Sequence, residues 1–247
     1  PDGRYKLAQL VRSNRALEDV CRAYNLPCIS GKDSMKNDAK LDGQKISIPP
    51  TLLYTVLGDH QDVRKAVSSD FKDCGDTIFL LGETHQELGA SELSYMLAEE
   101  TGGGIGNDVP QIDTTRNLAL YRALTSAMSE GLVRSAHDCS DGGLAAAIAE
   151  CCFGCDGGTT ISLDGIEGVD NWAALFGESL GRIVVTVSPE NVQRFGTIMA
   201  KHSVTKLGQV DDKETLEFTR DQNTILSSNL SDLLQAWKGT LHMGGEA

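Results

Sequence analysis

The sequence predicts an α/β protein, more specifically an α+β sandwich in which helices cover a sheet. From Asp76 onward, apolar strand-like runs and segments of helical periodicity follow one another in mixed order. The 26 glycines and the 5% of aromatic residues suit many tight loops better than an all-β sandwich. No internal repeat is visible, so a solenoid or propeller is not expected.

The N-terminal quarter predicts one long helix followed by extended segments. Apolar residues at helical spacing predict a helix from about Arg4 to Tyr24. The short apolar run from Leu26 to Ser30 predicts a strand that runs into a loop. A turn is expected over residues 37–44, and a buried strand over residues 47–58, which is entered through two prolines. The polar stretch 60–72 is interpreted as a linker between two domains.

From Asp76 the predicted elements follow in close succession. Strands are expected at 76–82, 133–137, 182–187, 205–210 and 215–218, and helices at 91–99, 114–130, 144–152, 189–199 and 231–238. Asp113 is expected to cap the second of these helices and Gly131 to end it. Ser188 followed by Pro189 is typical of a helix start. Ser231 is expected to cap the last helix.

Composition excludes several classes of function. The formal net charge is −13 and no basic patch occurs, so a nucleic-acid partner is not expected. No apolar run approaches the roughly 18 residues that a membrane span needs. Seven cysteines, an odd number, without a signal peptide favour a reducing, cytoplasmic setting. Because the chain starts at Pro1 within a helical pattern, we expect it to be cut from a longer protein.

The sharpest motif begins at His137 and reads HDCSDGGL. It lies where a strand passes into a helix, and its carboxylates Asp138 and Asp141 could hold Mg²⁺, which prefers oxygen ligands. Ser140 could donate to a phosphate oxygen, and the backbone amides of the glycines at 142 and 143 lie where a helix start attracts anions. The alternative is a helix cap with glycines that a tight turn requires. His137 could act as an acid or base, or pack beside the loop and orient it.

Other motifs point less clearly to chemistry. The segment from Gly31 to Met35 (GKDSM) fails the P-loop pattern, so it is either a strand-end turn or a phosphate site with Lys32 as point charge. The Gly-rich loop 101–108 fails the dinucleotide fingerprint. The three cysteines at 151, 152 and 155 are interpreted as structural, because no further cysteine pair or nearby histidine completes a zinc set. No nucleophile elbow occurs.

In combination, these segments resemble the phosphoribosylformylglycinamidine synthase family. The resemblance covers nearly the whole chain, in the expected order. It is carried by PCISGKDSM at 27–35, IPPT at 48–51, VPQID at 109–113, AHDCSDGGL at 136–144, LFGES at 175–179 and LLQAWKGTL at 233–241. The wider superfamily includes aminoimidazole ribonucleotide synthetase, and it pairs an N-type with a C-type α/β domain. The resemblance therefore implies part of the second N-type domain at 1–72, a C-type domain at 73–220 and a C-terminal helical tail at 221–247.

The family reaction is an ATP-dependent ligation of purine biosynthesis. It converts formylglycinamide ribonucleotide and glutamine-derived ammonia to the amidine, with Mg²⁺ bridging the nucleotide phosphates. The resemblance implies that Asp138 is a metal ligand, with Asp141 as a second candidate. It implies nucleotide contacts at Gly31, Lys32, Ser140, Gly142 and Gly143, and a substrate-phosphate contact at Ser34. The catalytic residues are unknown, since nothing in this chain resembles the family's catalytic histidine segment.

The implied partners are the first half of the same enzyme, a glutaminase domain or subunit, and a small ribonucleotide substrate. The chain alone is expected to have no turnover, and its exposed sheet edge could support a homodimer. Many members have Asn where this chain has Lys32, which leaves open a scaffold module that holds ATP or ADP structurally. A third reading is another synthetase of the superfamily, similar to aminoimidazole ribonucleotide synthetase.

Overall fold

The structure, a computed structural model, describes residues 2–32, 34, 38–47, 51–60, 62–155 and 157–239. It divides into two compact units, Pro1–Gln61 and Asp62–Ala247. The predicted division at residues 72 and 220 stays a prediction. Within the described residues, no helix is long and apolar enough to cross a membrane.

The first unit contains one helix and one hairpin. Helix α1 spans Asp2–Tyr24, close to the predicted bounds. Strands β1 (Ala39–Leu41) and β2 (Gln44–Ile46) pair antiparallel around a two-residue turn. The turn residues Asp42 and Gly43 both have positive φ, 48° and 81°. This is the backbone that an Asp-Gly hairpin turn requires, so the predicted turn over residues 37–44 is correct only at residues 42 and 43.

Two strand predictions in the first unit are wrong. Residues 26–30 form no strand, and neither do the described residues 51–58. Their apolar side chains are exposed, including Ile29 at 77% and Leu53 at 92%. A strand needs a hydrogen-bonded neighbour, and no segment of the described chain pairs with either run. Residues 48–50, within the second predicted strand, and residue 37, at the start of the predicted turn, lie outside the described residues.

The second unit is a seven-stranded sheet with helices on both faces. Its strands are β3 (Thr77–Leu81), β4 (Val133–Asp138), β5 (Thr159–Ser162), β6 (Ile183–Val187), β7 (Val204–Val210), β8 (Thr215–Arg220) and β9 (Asn223–Asn229). Its helices are α2 (Glu92–Thr101), α3 (Thr114–Ser129), α4 (Gly143–Cys152), α5 (Asn171–Phe176), α6 (Val192–Met199) and α7 (Leu230–Gly239), with short 3₁₀ turns at Val63–Lys65 and Pro189–Asn191. This mixed architecture confirms the predicted fold class.

The sheet order is β4-β6-β3-β7-β5-β8-β9. All neighbours run antiparallel except β5 and β8, which run parallel. Strand β3 is central and buried at every position. Ile78 and Leu80 face one core with α4, whereas Phe79 and Leu81 face a second core with α3 and α6. Alternation along a strand thus supplies both cores.

The predicted cap of α3 and the predicted buried face of α4 are both confirmed. Asp113 accepts a hydrogen bond from the Arg116 amide and caps α3 as predicted. The predicted inner face of α4 is at most 2% exposed at Leu144, Ala147, Ile148 and Cys151. The last helix begins at Leu230, so Ser231 is not its cap.

The predicted linker 60–72 is only partly a linker. Phe71 is 1% exposed, and its amide donates to the Cys151 carbonyl at 2.9 Å. The carbonyl of Ser68 accepts from the Ala136 amide at 3.1 Å. The end of this stretch is therefore packed into the second unit, because an apolar side chain at position 71 fills the core beside α4.

Candidate functional site

Asp138 and Ser140 lie at one open end of the sheet, where β4 passes into α4. Asp138 is the last residue of β4, and its side chain is 73% exposed. The Ser140 hydroxyl donates a hydrogen bond to Oδ2 of Asp138. Asp141 is also exposed. Both carboxylates are thus open to solvent, and that of Asp138 lies beside a hydroxyl group, which suits a hydrated hard cation.

His137 orients this junction. Its Nε2 lies 3.0 Å from Oε2 of Glu150 on α4, and its Nδ1 lies 2.7 Å from the Asp138 carbonyl. The side chain is 18% exposed. Both ring nitrogens are engaged with protein oxygens, so the contacts support the predicted packing role over a free acid or base.

Gly142 and Gly143 are required by the turn itself. Their φ values are +76° and +66°, in the left-handed region that favours glycine. A Cβ at Gly143 would lie 2.5 Å from the Gly177 carbonyl oxygen, and one at Gly142 would lie 2.8 Å from Cβ of Ala146. The alternative prediction from the sequence, that a tight turn requires these glycines, is therefore supported by the backbone angles and the close contacts.

Glu178 is an internal anion at two helix starts. Its Oε1 accepts from the Gly142 amide at 3.0 Å and from the Glu92 amide at 2.9 Å. Gly142 precedes α4, and Glu92 is the first residue of α2. A carboxylate is favourable at these positions because unpaired amides and the helix dipole both attract negative charge. Glu178 thus ties α2 to the turn that carries Ser140.

Arg182 supports the same loops from inside. The residue is 1% exposed, and its guanidinium donates to the carbonyls of Ser179 and Gly177 and to the Thr84 hydroxyl. Its own carbonyl accepts from the Cys139 amide at 3.0 Å. Burial lowers the pKa of Arg182, and nearby carboxylates, including Glu178, act against that shift. Through its side chain and its carbonyl together, Arg182 therefore links three loops at the end of the sheet.

The donor set fits a cation that keeps much of its own water. In the described part of the chain, no group of three His, Cys, Asp or Glu side chains is placed to hold a metal. The open carboxylates of Asp138 and Asp141 suit Mg²⁺, which commonly uses one or two carboxylates together with waters and phosphates.

The cysteines are not part of this oxygen-rich set. Burial raises the pKa of Cys139 to about 11 and that of Cys152 to about 12, so neither thiol ionises readily. Cys155 donates to the Gly157 carbonyl at 3.0 Å. These contacts agree with the structural role predicted for the cysteines on and after α4.

A cavity of about 250 Å³ opens at the same end of the sheet, yet it does not include the β4–α4 junction. The ends of four neighbouring strands lie side by side there. Asp138 of β4 and Leu81 of β3 both pair with Ile183 of β6, and Leu81 also pairs with Val204 of β7. The cavity is lined by polar residues that include Glu83, His85, Arg116, Lys201 and His202. Arg116 contacts Glu83 and Asp113, so the carboxylates balance part of its positive charge.

The remaining predicted residues belong to the first unit. Gly31, Lys32 and Ser34 are exposed, and Lys32 Nζ donates to the Ser34 hydroxyl at 3.2 Å. Asp33 and Met35 lie outside the described residues. The structure therefore brings Lys32 and Ser34 together in one unit and Asp138 and Ser140 together in the other.

Sequence reasoning missed the roles of Glu178 and Arg182. Glu178 was noted only within a family-like segment, and Arg182 only as the start of a predicted strand, which begins at Ile183. One signal for Arg182 was available in the sequence, since this arginine directly precedes a continuous apolar strand. Arginine is rarely fully buried without partners, so its position there indicates a specific set of hydrogen bonds.

Comparisons with known proteins identify the family and the fold. The family model "AIR synthase related protein, C-terminal domain" matches residues 74–221. Among solved structures, Thermotoga maritima PurL complexed with FGAR is 21% identical, with a TM-score of 0.61, over 69% of this chain and 30% of that one. Phosphoribosylformylglycinamidine synthase II from the same organism is 20% identical, with a TM-score of 0.57, over 68% and 27%.

The ATP complex of Thermotoga maritima PurL is 19% identical, with a TM-score of 0.53, over 68% of this chain and 27% of that one. The chain thus spans less than a third of the length of these three structures, and the likeness shows a shared fold. Since the family model covers more than half of the sequence, the chain belongs to the AIR synthase related proteins through their C-terminal domain.

Proposed function

We propose that this chain is the C-terminal portion of a phosphoribosylformylglycinamidine synthase, an ATP-dependent C–N ligase of purine biosynthesis. Membership in the AIR synthase related family and the PurL-like fold support this assignment. The ordered motifs of the sequence support the specific reaction. It uses formylglycinamide ribonucleotide, ammonia derived from glutamine, and ATP, and it yields the amidine, ADP and phosphate.

The second unit binds a magnesium nucleotide at the β4–α4 junction. The observation that carries this proposal is the open carboxylate of Asp138 beside the Ser140 hydroxyl at the end of the sheet. Asp138 holds the cation, with Asp141 as a second candidate, and Ser140 contacts a nucleotide phosphate. When bound, Mg²⁺ offsets the phosphate charge that an acidic chain cannot neutralise with basic side chains.

Gly142 and Gly143 position the backbone of this site, and their amides are already engaged within the protein rather than free to bind phosphate. The Gly142 amide is occupied by Glu178, and the Gly143 amide donates to the Ser140 carbonyl at 3.0 Å. A phosphate can take the Gly142 amide only if Glu178 moves away. The contacts proposed for both glycines are therefore indirect, through the backbone that places Ser140.

In the first unit, Gly31 and Lys32 are proposed nucleotide contacts, and Ser34 is the proposed substrate-phosphate contact. The exposure of all three and the Lys32–Ser34 hydrogen bond are compatible with anion binding. We further propose that residues 1–72 derive from an N-type domain, residues 73–220 form a C-type domain and residues 221–247 form a tail. The setting is cytoplasmic, and a glutaminase and the first half of the enzyme are the partners.

The isolated chain has no turnover under this proposal, because nothing in its sequence resembles the family's catalytic histidine segment. The second candidate is a scaffold that holds ADP structurally, or no nucleotide, within the same enzyme. Lys32, where many family members have Asn, favours that reading. An AIR synthetase-like substrate remains the third alternative, and a self-associating first unit is compatible with all three.

Thermal unfolding with a nucleotide panel tests the proposal. Ligand at about 100 times its Kd stabilises the folded state by about 2.7 kcal/mol, or roughly 5–10 °C for a domain of this size. ADP and ATP with Mg²⁺ should raise the Tm of the second unit, AMP should not, and Ser140→Ala should reduce the rise. Ser126→Ala, an exposed change on α3, is the control. No rise with any nucleotide would contradict a nucleotide site in this unit.

A further inference from the structure

The C-terminal end of α1 brings two cysteines into contact. Cys21 lies in the last turn of the helix, and Cys28 lies seven residues later, after the chain has reversed. Their sulfur atoms are 3.7 Å apart, which is van der Waals contact for two thiols. Cys28 is exposed and Cys21 is half-buried.

The turn that joins these cysteines is well defined. Asn25 adopts a left-handed φ of 56°, its amide donates to the Arg22 carbonyl, and the Leu26 amide donates to the Cys21 carbonyl at 2.9 Å. These two hydrogen bonds form the Schellman motif, the common end of a helix. Pro27 then restricts the backbone just before Cys28. The approach of the two sulfurs therefore follows from hydrogen-bonded backbone geometry.

We propose that Cys21 and Cys28 form a redox modification site that closes to an intramolecular disulfide on exposure to peroxide. This inference rests on the first unit alone and is independent of the proposed function. A disulfide needs sulfurs about 2.05 Å apart and Cα atoms within about 7 Å. Side-chain rotation at one or both cysteines closes the remaining gap, since neither sulfur is enclosed by the core.

The chemistry balances with one peroxide per pair. The Cys28 thiol loses its proton, and the thiolate attacks one peroxide oxygen. The O–O bond breaks, the sulfenic acid forms, and the hydroxide that leaves takes up the Cys28 proton to become water. The Cys21 sulfur then attacks the sulfenic sulfur, forming the S–S bond and breaking the S–O bond, and a second water leaves with the Cys21 proton. Two electrons pass from the sulfurs to the peroxide, and a thiol reductant reverses the change by exchange.

The rest of the chain supplies internal controls. Cys74 is exposed but has no sulfur partner among the described residues. Cys139, Cys151 and Cys152 are buried. Cys28 is the more exposed of the two thiols, so it is the better placed to react first with peroxide. The site is thus distinguished from Cys74 by sulfur contact and from Cys139, Cys151 and Cys152 by access to solvent.

The location gives oxidation a structural consequence. Cys28 lies three residues before Gly31, in the extended segment that leads to Lys32 and Ser34. A disulfide would fasten the start of this segment to α1 and restrict the conformations open to it. In a reducing compartment the pair stays in the thiol form and responds only to an oxidant, as redox-sensing cysteines do.

Peptide mapping tests this proposal directly. Trypsin cleaves after Arg22, so it places Cys21 in peptide 16–22 and Cys28 in peptide 23–32. Treating the 247-residue chain with one equivalent of hydrogen peroxide should join these two peptides and lower the thiol titre in denaturant by two from seven. Reduction should restore all seven thiols, and Cys74→Ser should give the same linked peptides.

Cys21→Ser and Cys28→Ser serve as separate variants, since each leaves one thiol of the pair. Neither should yield the linked peptides, and neither should lose a pair of thiols. The proposal is overturned if the wild-type chain shows no 16–22/23–32 product while Cys74 is oxidised. It is also overturned if links from Cys21 or Cys28 to Cys74 form as readily as the link between them.

Discussion

Replacing Arg182 with lysine tests whether the buried guanidinium holds the loops at the end of the sheet. The three guanidinium nitrogens donate to three acceptors in different directions, the carbonyls of Ser179 and Gly177 and the hydroxyl of Thr84. A lysine ammonium is a compact point charge and cannot reach all of them from one position. We expect Arg182→Lys to lose two of the three hydrogen bonds.

The expected cost follows from burial. Arg182 is 1% exposed, and Ser179 is equally buried, so water cannot replace the lost donors. Leaving a buried acceptor unpaired costs about 1–3 kcal/mol. Two such acceptors give a loss of about 3 kcal/mol in the free energy of unfolding, or roughly 6–12 °C in Tm.

Arg194→Lys is the matched control. Arg194 also donates from two nitrogens, to both oxygens of Glu130 at 2.9 Å, but its side chain is 57% exposed. An exposed pair is worth about 1 kcal/mol or less, so this change should have little effect. Urea unfolding monitored by tryptophan fluorescence is a suitable assay, because Trp172 and Trp237 both lie in the second unit. Equal unfolding free energies for the two variants would refute the reasoning.

Three further predictions concern the same unit. Gly143→Ala should lower the free energy of unfolding in urea by about 3 kcal/mol, because the new Cβ meets two carbonyl oxygens. Gly102 has a similar φ of +70° but open space around it, so Gly102→Ala should cost about 1 kcal/mol. Equal costs for the two variants would contradict the clash at Gly143. Glu178→Ala should cost about 1–2 kcal/mol, because it unpairs the half-buried Gly142 amide and removes a carboxylate from two helix starts, whereas Glu130→Ala should cost about 1 kcal/mol or less. Thiol labelling at pH 8 should modify Cys74 but spare Cys139 and Cys152, whose raised pKa values of about 11 and 12 keep them protonated in the folded state. Labelling of those two before unfolding would contradict their burial.

Elements with strong local patterns were predictable from sequence. The Asp113 cap, the apolar face of α4 and the buried strand β3 each depend on residues close together in the chain. Strand β9 was missed because most of its residues are exposed and lack the apolar alternation of a half-buried strand. The wrong strand at 26–30 shows the converse, since an apolar run forms a strand only when another segment pairs with it.

The candidate site divides in the same way. Asp138 and Ser140 are two residues apart, so the motif alone brought both into the candidate site, although their hydrogen bond to each other was not predicted. Glu178 reaches the Gly142 amide across 36 positions of the chain, and Arg182 joins Thr84 across 98. Such contacts depend on the sheet order, which brings the ends of β4, β6 and β3 together. Local sequence patterns do not specify that order, so these contacts could not be predicted from them.

Calorimetric titration of the chain with ADP, with and without Mg²⁺, tests the central claim most directly. The account predicts binding that requires Mg²⁺, is lost in Asp138→Asn and is kept in Asp19→Asn, which changes an exposed carboxylate on α1. Circular dichroism should show that both variants remain folded. Binding without Mg²⁺, unchanged binding by Asp138→Asn, or no binding by the folded wild-type chain would contradict a metal-dependent nucleotide site at the β4–α4 junction.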